Sequence, residues 1–172
     1  YTPPTGFSGS DTLTYTLLDS RGAQVIGTIA ITVAPASGFY HPESVNLTVG
    51  GVDSTDLTYF QSVDEETYDI TSVNSGGNRV VDWYATTTIT EDISAISEIK
   101  VLHVGHYSLA SIAQTAYVYN YQTADWELID TATVSDESNY PAAHTISSNI
   151  GNYVSAAKEM RLRIRAERNS GA

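Results

Sequence analysis

At 172 residues, 41% of them hydrophobic, the chain is long enough to bury a core, and general disorder is excluded. A formal net charge of −12 argues against nucleic acid as a partner, because a phosphate backbone needs a basic face. The absence of cysteine excludes a disulfide framework and thiol chemistry, and no apolar run approaches the roughly 20 residues of a membrane span.

Thr, Ser, Val, Ile and Tyr dominate the chain, and Gly, Asn, Asp or Pro clusters interrupt them about every 8–12 residues, the pattern of an all-β sandwich or barrel. The first predicted strands are 12–18 and 25–33, a hairpin-like pair around Asp19-Ser20-Arg21-Gly22, whose glycine suits a turn position with φ > 0. Tyr1, Pro4, Gly6-Phe7, Gly9, Asp11, Tyr15, Asp19 and Gly22, followed by the alternating Thr28-Ile29-Ala30-Ile31-Thr32-Val33, carry a resemblance. This stretch resembles the second half of a bacterial Ig-like or cadherin-like tandem repeat, the unit of long extracellular stalks and adhesins. The resemblance implies an extracellular or cell-surface protein whose partners are neighbouring repeats or identical subunits. An Ig-like sandwich takes about 100 residues to close, so it also implies that the chain starts inside a repeat. Asp11 and Asp19 fall at the family's acidic positions, which tie turns together or contribute to calcium sites between repeats.

Ala34-Pro35-Ala36-Ser37-Gly38 reads as a linker, since proline stops a strand and the small residues carry no core. The expected division is a partial Ig-like unit over 1–36 and a second unit over 37–172. Within the second, strands are predicted over 44–50, 57–61, 67–73, 79–89, 97–104, 114–121, 126–134, 143–148 and 159–168. The one helix candidate, residues 91–96, is too short to stand alone. Asn74-Ser75-Gly76-Gly77-Asn78 is a strong turn, and Gln122-Thr123-Ala124-Asp125 closes a hairpin in which Tyr121 is expected to face Trp126. Residues 61–89 and 114–130 resemble jelly-roll modules appended to secreted bacterial proteins, similar in outline to galactose-binding-like folds. That resemblance implies an antiparallel jelly-roll-like β-sandwich whose ligands are mostly sugars. In it another strand usually follows the basic one at 159–168, so the expectation is either a cut fragment or another segment in that place, for which the first 35 residues supply two candidate strands.

Alternation by twos sorts the side chains. Tyr117, Tyr119 and Tyr121 share one face of their strand, opposite Ala116, Val118 and Asn120. Arg161, Arg163 and Arg165 likewise share a face, opposite Met160, Leu162, Ile164 and Ala166, and the apolar set must face the core. If both polar faces belong to one sheet, they form an aromatic-and-guanidinium platform suited to a saccharide, an acidic polysaccharide among the candidates. A cation–π and salt-bridge ladder on a solvent-facing sheet, or a protein contact, explains the same residues. Trp83, flanked on its face by Val81 and Ala85, is expected in the core. Tyr84 shares its face with Val80 and Asp82, taken as the wet side.

No residues carry a catalytic motif: there is no Gly-x-Ser-x-Gly elbow, phosphate loop or Gly-x-Gly-x-x-Gly. His103 and His106 have metal-like spacing only on a helix; His41 and His144 are isolated, so no metal site is expected. Structural calcium is left open by the acidic clusters Asp53 with Asp56, Asp64-Glu65-Glu66, Glu91-Asp92 and Asp136-Glu137. Lys100 and Lys158, the two lysines, are expected at polar positions rather than in an isopeptide crosslink. The expectation is a non-catalytic, extracellular structural or adhesive module without a cofactor, open to assembly by strand exchange; carbohydrate binding by the Tyr/Arg face is the alternative.

Overall fold

The computed structural model describes residues 9–18, 20, 24–33, 38, 40–52, 56–60, 68–109, 111–134 and 140–169. Regular structure among them is strand, with short 3-10 turns and no α-helix. The chain divides into two compact units, Tyr1–Gly38 with Glu91–Ser97, and Phe39–Thr90 with Glu98–Ala172.

In the first unit, β1 (Gly9–Leu18) and β2 (Gln24–Val33) form an antiparallel ribbon in continuous register, with Leu13 opposite Ile29 and Tyr15 opposite Gly27. Side chains directly opposite in such a pair share a face. One face therefore carries Leu13, Tyr15, Val25, Ile29 and Ile31 with Asp11, and the other is rich in threonine with Leu18, Ile26 and Ala30 among it. Gly27 lets the Tyr15 ring lie across it; a side chain there would have to push that exposed ring aside. The residues 91–96, weak as a helix, form a single 3-10 turn over Ile93–Ala95. Residues 34–37 of the predicted linker over 34–38 and the turn residues Asp19, Arg21 and Gly22 lie outside the described residues.

The second unit contains β3 (Ser44–Val49), β4 (Gly51–Val52), β5 (Ile70–Thr71), β6 (Val73–Ser75), β7 (Asn78–Thr88), β8 (Ile99–Gly105), β9 (Ile112–Asn120), β10 (Asp125–Val134), β11 (Tyr140–Ile146) and β12 (Glu159–Asn169). The main sheet runs β10-β9-β12-β7-β3, all antiparallel, with β6 also pairing β7. β8 and β11 pair in a second sheet, so the chain alternates between layers and delivers β12 between β7 and β9. The sheets make the sandwich-like, all-β arrangement expected from the alternating pattern.

Trp83, Ala85, Ala116 and Ile164 of the main sheet meet Ala142 of β11 in the core, with Val45, Leu47, Phe60, Ile70, Val81, Ile129 and Leu162 packed around them. Burying side chains such as Ile164 and Val118 stabilises the fold by about 1.5–3 kcal/mol each. Gly76 and Gly77 take φ of +60° and +87° between β6 and β7, the two-residue turn that a tight hairpin demands.

Two predicted strands are corrected. Leu57–Phe60 is a 3-10 turn, its Thr58 amide and hydroxyl bonded to Asp56, which offers the backbone a local alternative to a ladder. Instead of one strand over 67–73, two short ones over 70–71 and 73–75 pair with different partners, β4 and β7.

Candidate functional site

β12 is the central strand of the main sheet, and its alternation decides the site. Met160, Ile164 and Ala166 are buried on the inner side, so Arg161, Arg163 and Arg165 project from the outer one. In register, Arg163 lies opposite Tyr84 of β7 and Tyr117 of β9, while Arg165 lies opposite Asp82 and Thr115. Tyr119 of β9 is opposite Trp126 of β10. The outer Tyr/Arg rows thus do belong to one sheet and one face.

Trp126 reaches across the sheet. Its ring centroid is 5.2 Å from that of Tyr119 and 5.7 Å from that of Tyr84, and Tyr119 stands edge-on to Tyr121 at 4.9 Å. The Arg161 guanidinium sits among Tyr119, Tyr121 and Tyr84, with Cζ 5.2, 5.7 and 5.8 Å from their centroids. Arg163 lies 5.6 Å from the Trp126 ring and 5.7 Å from that of Tyr117. These separations are within cation–π range.

Each guanidinium also has a carboxylate. Arg161 Nε donates to Glu159 Oε1 at 2.6 Å. Arg163 grips Asp82 with two bonds, Nε to Oδ1 at 2.8 Å and Nη2 to Oδ2 at 2.6 Å. Arg165 donates to the same Oδ2 at 3.2 Å and to Glu167 at 2.9 Å. These partners hold the arginines firmly cationic: the Asp82 bond foremost for Arg163, and the Glu167 bond followed by Asp82 for Arg165. For Arg161 the largest effect, burial, pulls the other way, and Glu159 with the neighbouring tyrosines overcomes it. Tyr121 donates to Glu159 at 2.9 Å, and burial together with that bond raises its phenol above the ordinary range.

Sequence reasoning brought Tyr117, Tyr119, Tyr121, Arg161, Arg163 and Arg165 to this face but missed Tyr84, Trp126, Asp82 and Glu159 as members. Two readings are corrected. Trp126 faces Tyr119 rather than Tyr121, because residues 121–124 are all turn: Asn120 Oδ1 accepts the amides of Gln122 and Thr123, and Ala124 takes φ 55°. The supposed wet side around Val80 and Asp82 is buried, with Asp82 only 1% exposed beneath Arg163 and Arg165.

Among the described residues no group of three or more His, Asp or Glu side chains gathers as a metal site. The acidic positions Asp53, Asp64, Glu65, Glu66, Asp136 and Glu137 lie outside those residues. Lys100 is exposed and paired with Glu98 at 2.9 Å, and Lys158 Nζ donates to the Thr90 carbonyl at 3.1 Å. His103 is on β8, its half-buried ring edge-on to Trp83 at 5.6 Å, and burial lowers its pKa from 6.5 to about 4. The unfolded chain therefore takes up a proton below pH 6.5 that the fold refuses until about 4, so this contribution is present above pH 6.5 and lost as pH falls toward 4. By pH 5 the wild type should lose more unfolding free energy than His103→Phe, by at most about 2 kcal/mol because the half-buried ring keeps some hydration. Denaturant titrations of both at pH 7.5 and 5 check this; parallel losses would contradict it.

These residues define an antiparallel all-β unit that bears a neutralised aromatic and guanidinium face. Residues 1–32 match the family model of a bacterial Ig domain. That stretch is similar to part of a bacterial Ig domain, and it points to a surface or structural module in general. No curated protein and no solved structure matches the chain.

Proposed function

We propose that the chain is a non-catalytic, extracellular structural or adhesive module of a prokaryotic surface, stalk or filament protein, assembling by exchange of β-strands between copies. One observation carries this reading: apolar side chains of the Ig-like ribbon are exposed, with Leu18 at 65% and Ile26 at 69% on the threonine-rich face, and Leu13 at 48%, Val25 at 59% and Ile29 at 48% on the more apolar one. A two-stranded ribbon is marginal alone in water, and exposed ribbons and sheet edges are templates for further strands. Packing that face on the sheet of a neighbouring copy would complete a sandwich and repeat head to tail.

Light scattering tests the reading on the 18.6 kDa chain. Oligomers are expected for the wild type, and Val25→Asp with Ile29→Asp should reduce them to monomers with an unchanged β signal from the second unit. A monodisperse wild-type monomer with its full β signal overturns strand exchange.

The second reading, carbohydrate recognition, is favoured by the convergence of Tyr84, Tyr117, Tyr119, Tyr121 and Trp126 around two guanidiniums on one face.

A further inference from the structure

Charge bookkeeping on the outer face narrows what it is able to hold. Arg161, Arg163 and Arg165 contribute three positive charges, and Asp82, Glu159 and Glu167 contribute three negative ones, each within 3.2 Å of an arginine. The local sum is zero, and no guanidinium there lacks a carboxylate. The surrounding chain carries a formal −12, whose field repels polyanions. An acidic polysaccharide would have to displace Asp82, which is buried and doubly bonded to Arg163, before reaching that cation.

What the face still offers is the part of the Tyr84, Tyr119 and Trp126 rings that remains partly exposed, and hydroxyl partners beside them. Leu128, opposite Tyr117, is 52% exposed and extends the apolar strip beside Trp126. Arg161 uses only Nε on Glu159, so among the described residues its two Nη groups take no hydrogen-bond partner while three tyrosines hold the guanidinium in place. Aromatic planes accept the C–H face of a pyranose, and a fixed donor beside a carboxylate matches the vicinal hydroxyls at its rim. A side chain already immobilised by packing gives up little entropy on binding.

We infer that this face binds a neutral polysaccharide, with Trp126, Tyr119 and Tyr84 as the stacking surface and Arg161 with Glu159 as the hydroxyl-reading pair; Asp82 is a positioning residue that cancels the charge of Arg163 and Arg165. The inference rests on the carbohydrate reading above and names its ligand class.

Native gel electrophoresis with hydroxyethylcellulose, mannan or polygalacturonate in the gel tests it on the whole chain. Retardation by one of the neutral polymers and none by polygalacturonate is expected, with apparent affinity about tenfold weaker in Trp126→Ala and in Tyr119→Ala. Circular dichroism of both variants verifies that the strand signal persists. Retardation by polygalacturonate alone overturns the neutral assignment and leaves carbohydrate binding standing. No retardation by any of the three polymers overturns both. Loss of self-association in Trp126→Ala, without retardation by any polymer, would assign the face to a contact between copies and overturn it equally.

Discussion

Replacing Trp83 with alanine should lower the unfolding free energy by about 4 kcal/mol, the largest single effect expected in this chain. Trp83 is buried at the centre of the core, against Ala85, Ala116, Ala142 and Ile164, with Phe60 and His103 in ring contact at 6.0 and 5.6 Å. Three of those neighbours are alanines, too short to close over the space that an indole leaves. The cost therefore includes both lost transfer energy and a persistent cavity. Against a typical stability of about 5–15 kcal/mol, the variant should be near the limit of folding. Trp83→Phe, which retains a ring, should cost clearly less. Guanidinium titrations followed by circular dichroism measure both, and equal losses would contradict cavity formation as the cause.

Asp82→Ala should cost about 3 kcal/mol, by a different mechanism. The carboxylate is 1% exposed and answers two guanidiniums, so removing it leaves both cations facing each other with one shared partner gone. The figure belongs at the lower end of the range for broken buried pairs, because the Arg163 and Arg165 side chains are 25% and 36% exposed and keep some hydration. Arg163→Met should cost less, since Asp82 retains Arg165. Raising salt should narrow the gap between wild type and Asp82→Ala only slightly, because the pair is poorly screened. A gap that vanishes in 1 M salt would mean that the interaction is a surface one.

The strand pattern was legible because the inward rows are nearly pure: Met160, Leu162, Ile164 and Ala166 admit one orientation, and the arginines between them follow. Tyr117 and Tyr119 follow from Ala116 and Val118 in the same way. Asp82 was not legible. Its own strand places it between Val80 and Tyr84 on the outer face, where carboxylates ordinarily meet water, and its burial comes from two residues about 80 positions later. The turn after Asn120 begins one residue earlier than expected, which shifts the register by two: Trp126 meets Tyr119 instead of Tyr121, on the same face in either case. Gln114 shows the opposite limit. It lies in an inward row, fully buried, accepting a bond from Tyr107, a partner that the local pattern does not reveal. The short strands at 70–71 and 73–75 escaped because four or five residues of mixed polarity carry no clear period.

The place of β12 has a consequence for how the fold forms during synthesis. The strand that joins β7 to β9 is the last of the described strands to leave the ribosome, so until then both halves of the main sheet expose open edges and an uncovered oily side. Their union waits on pairings between residues some 80 positions apart, such as Asp82 with Arg165, which makes closure a late and comparatively slow event. That interval is when pairing of an open edge with the wrong neighbour is easiest.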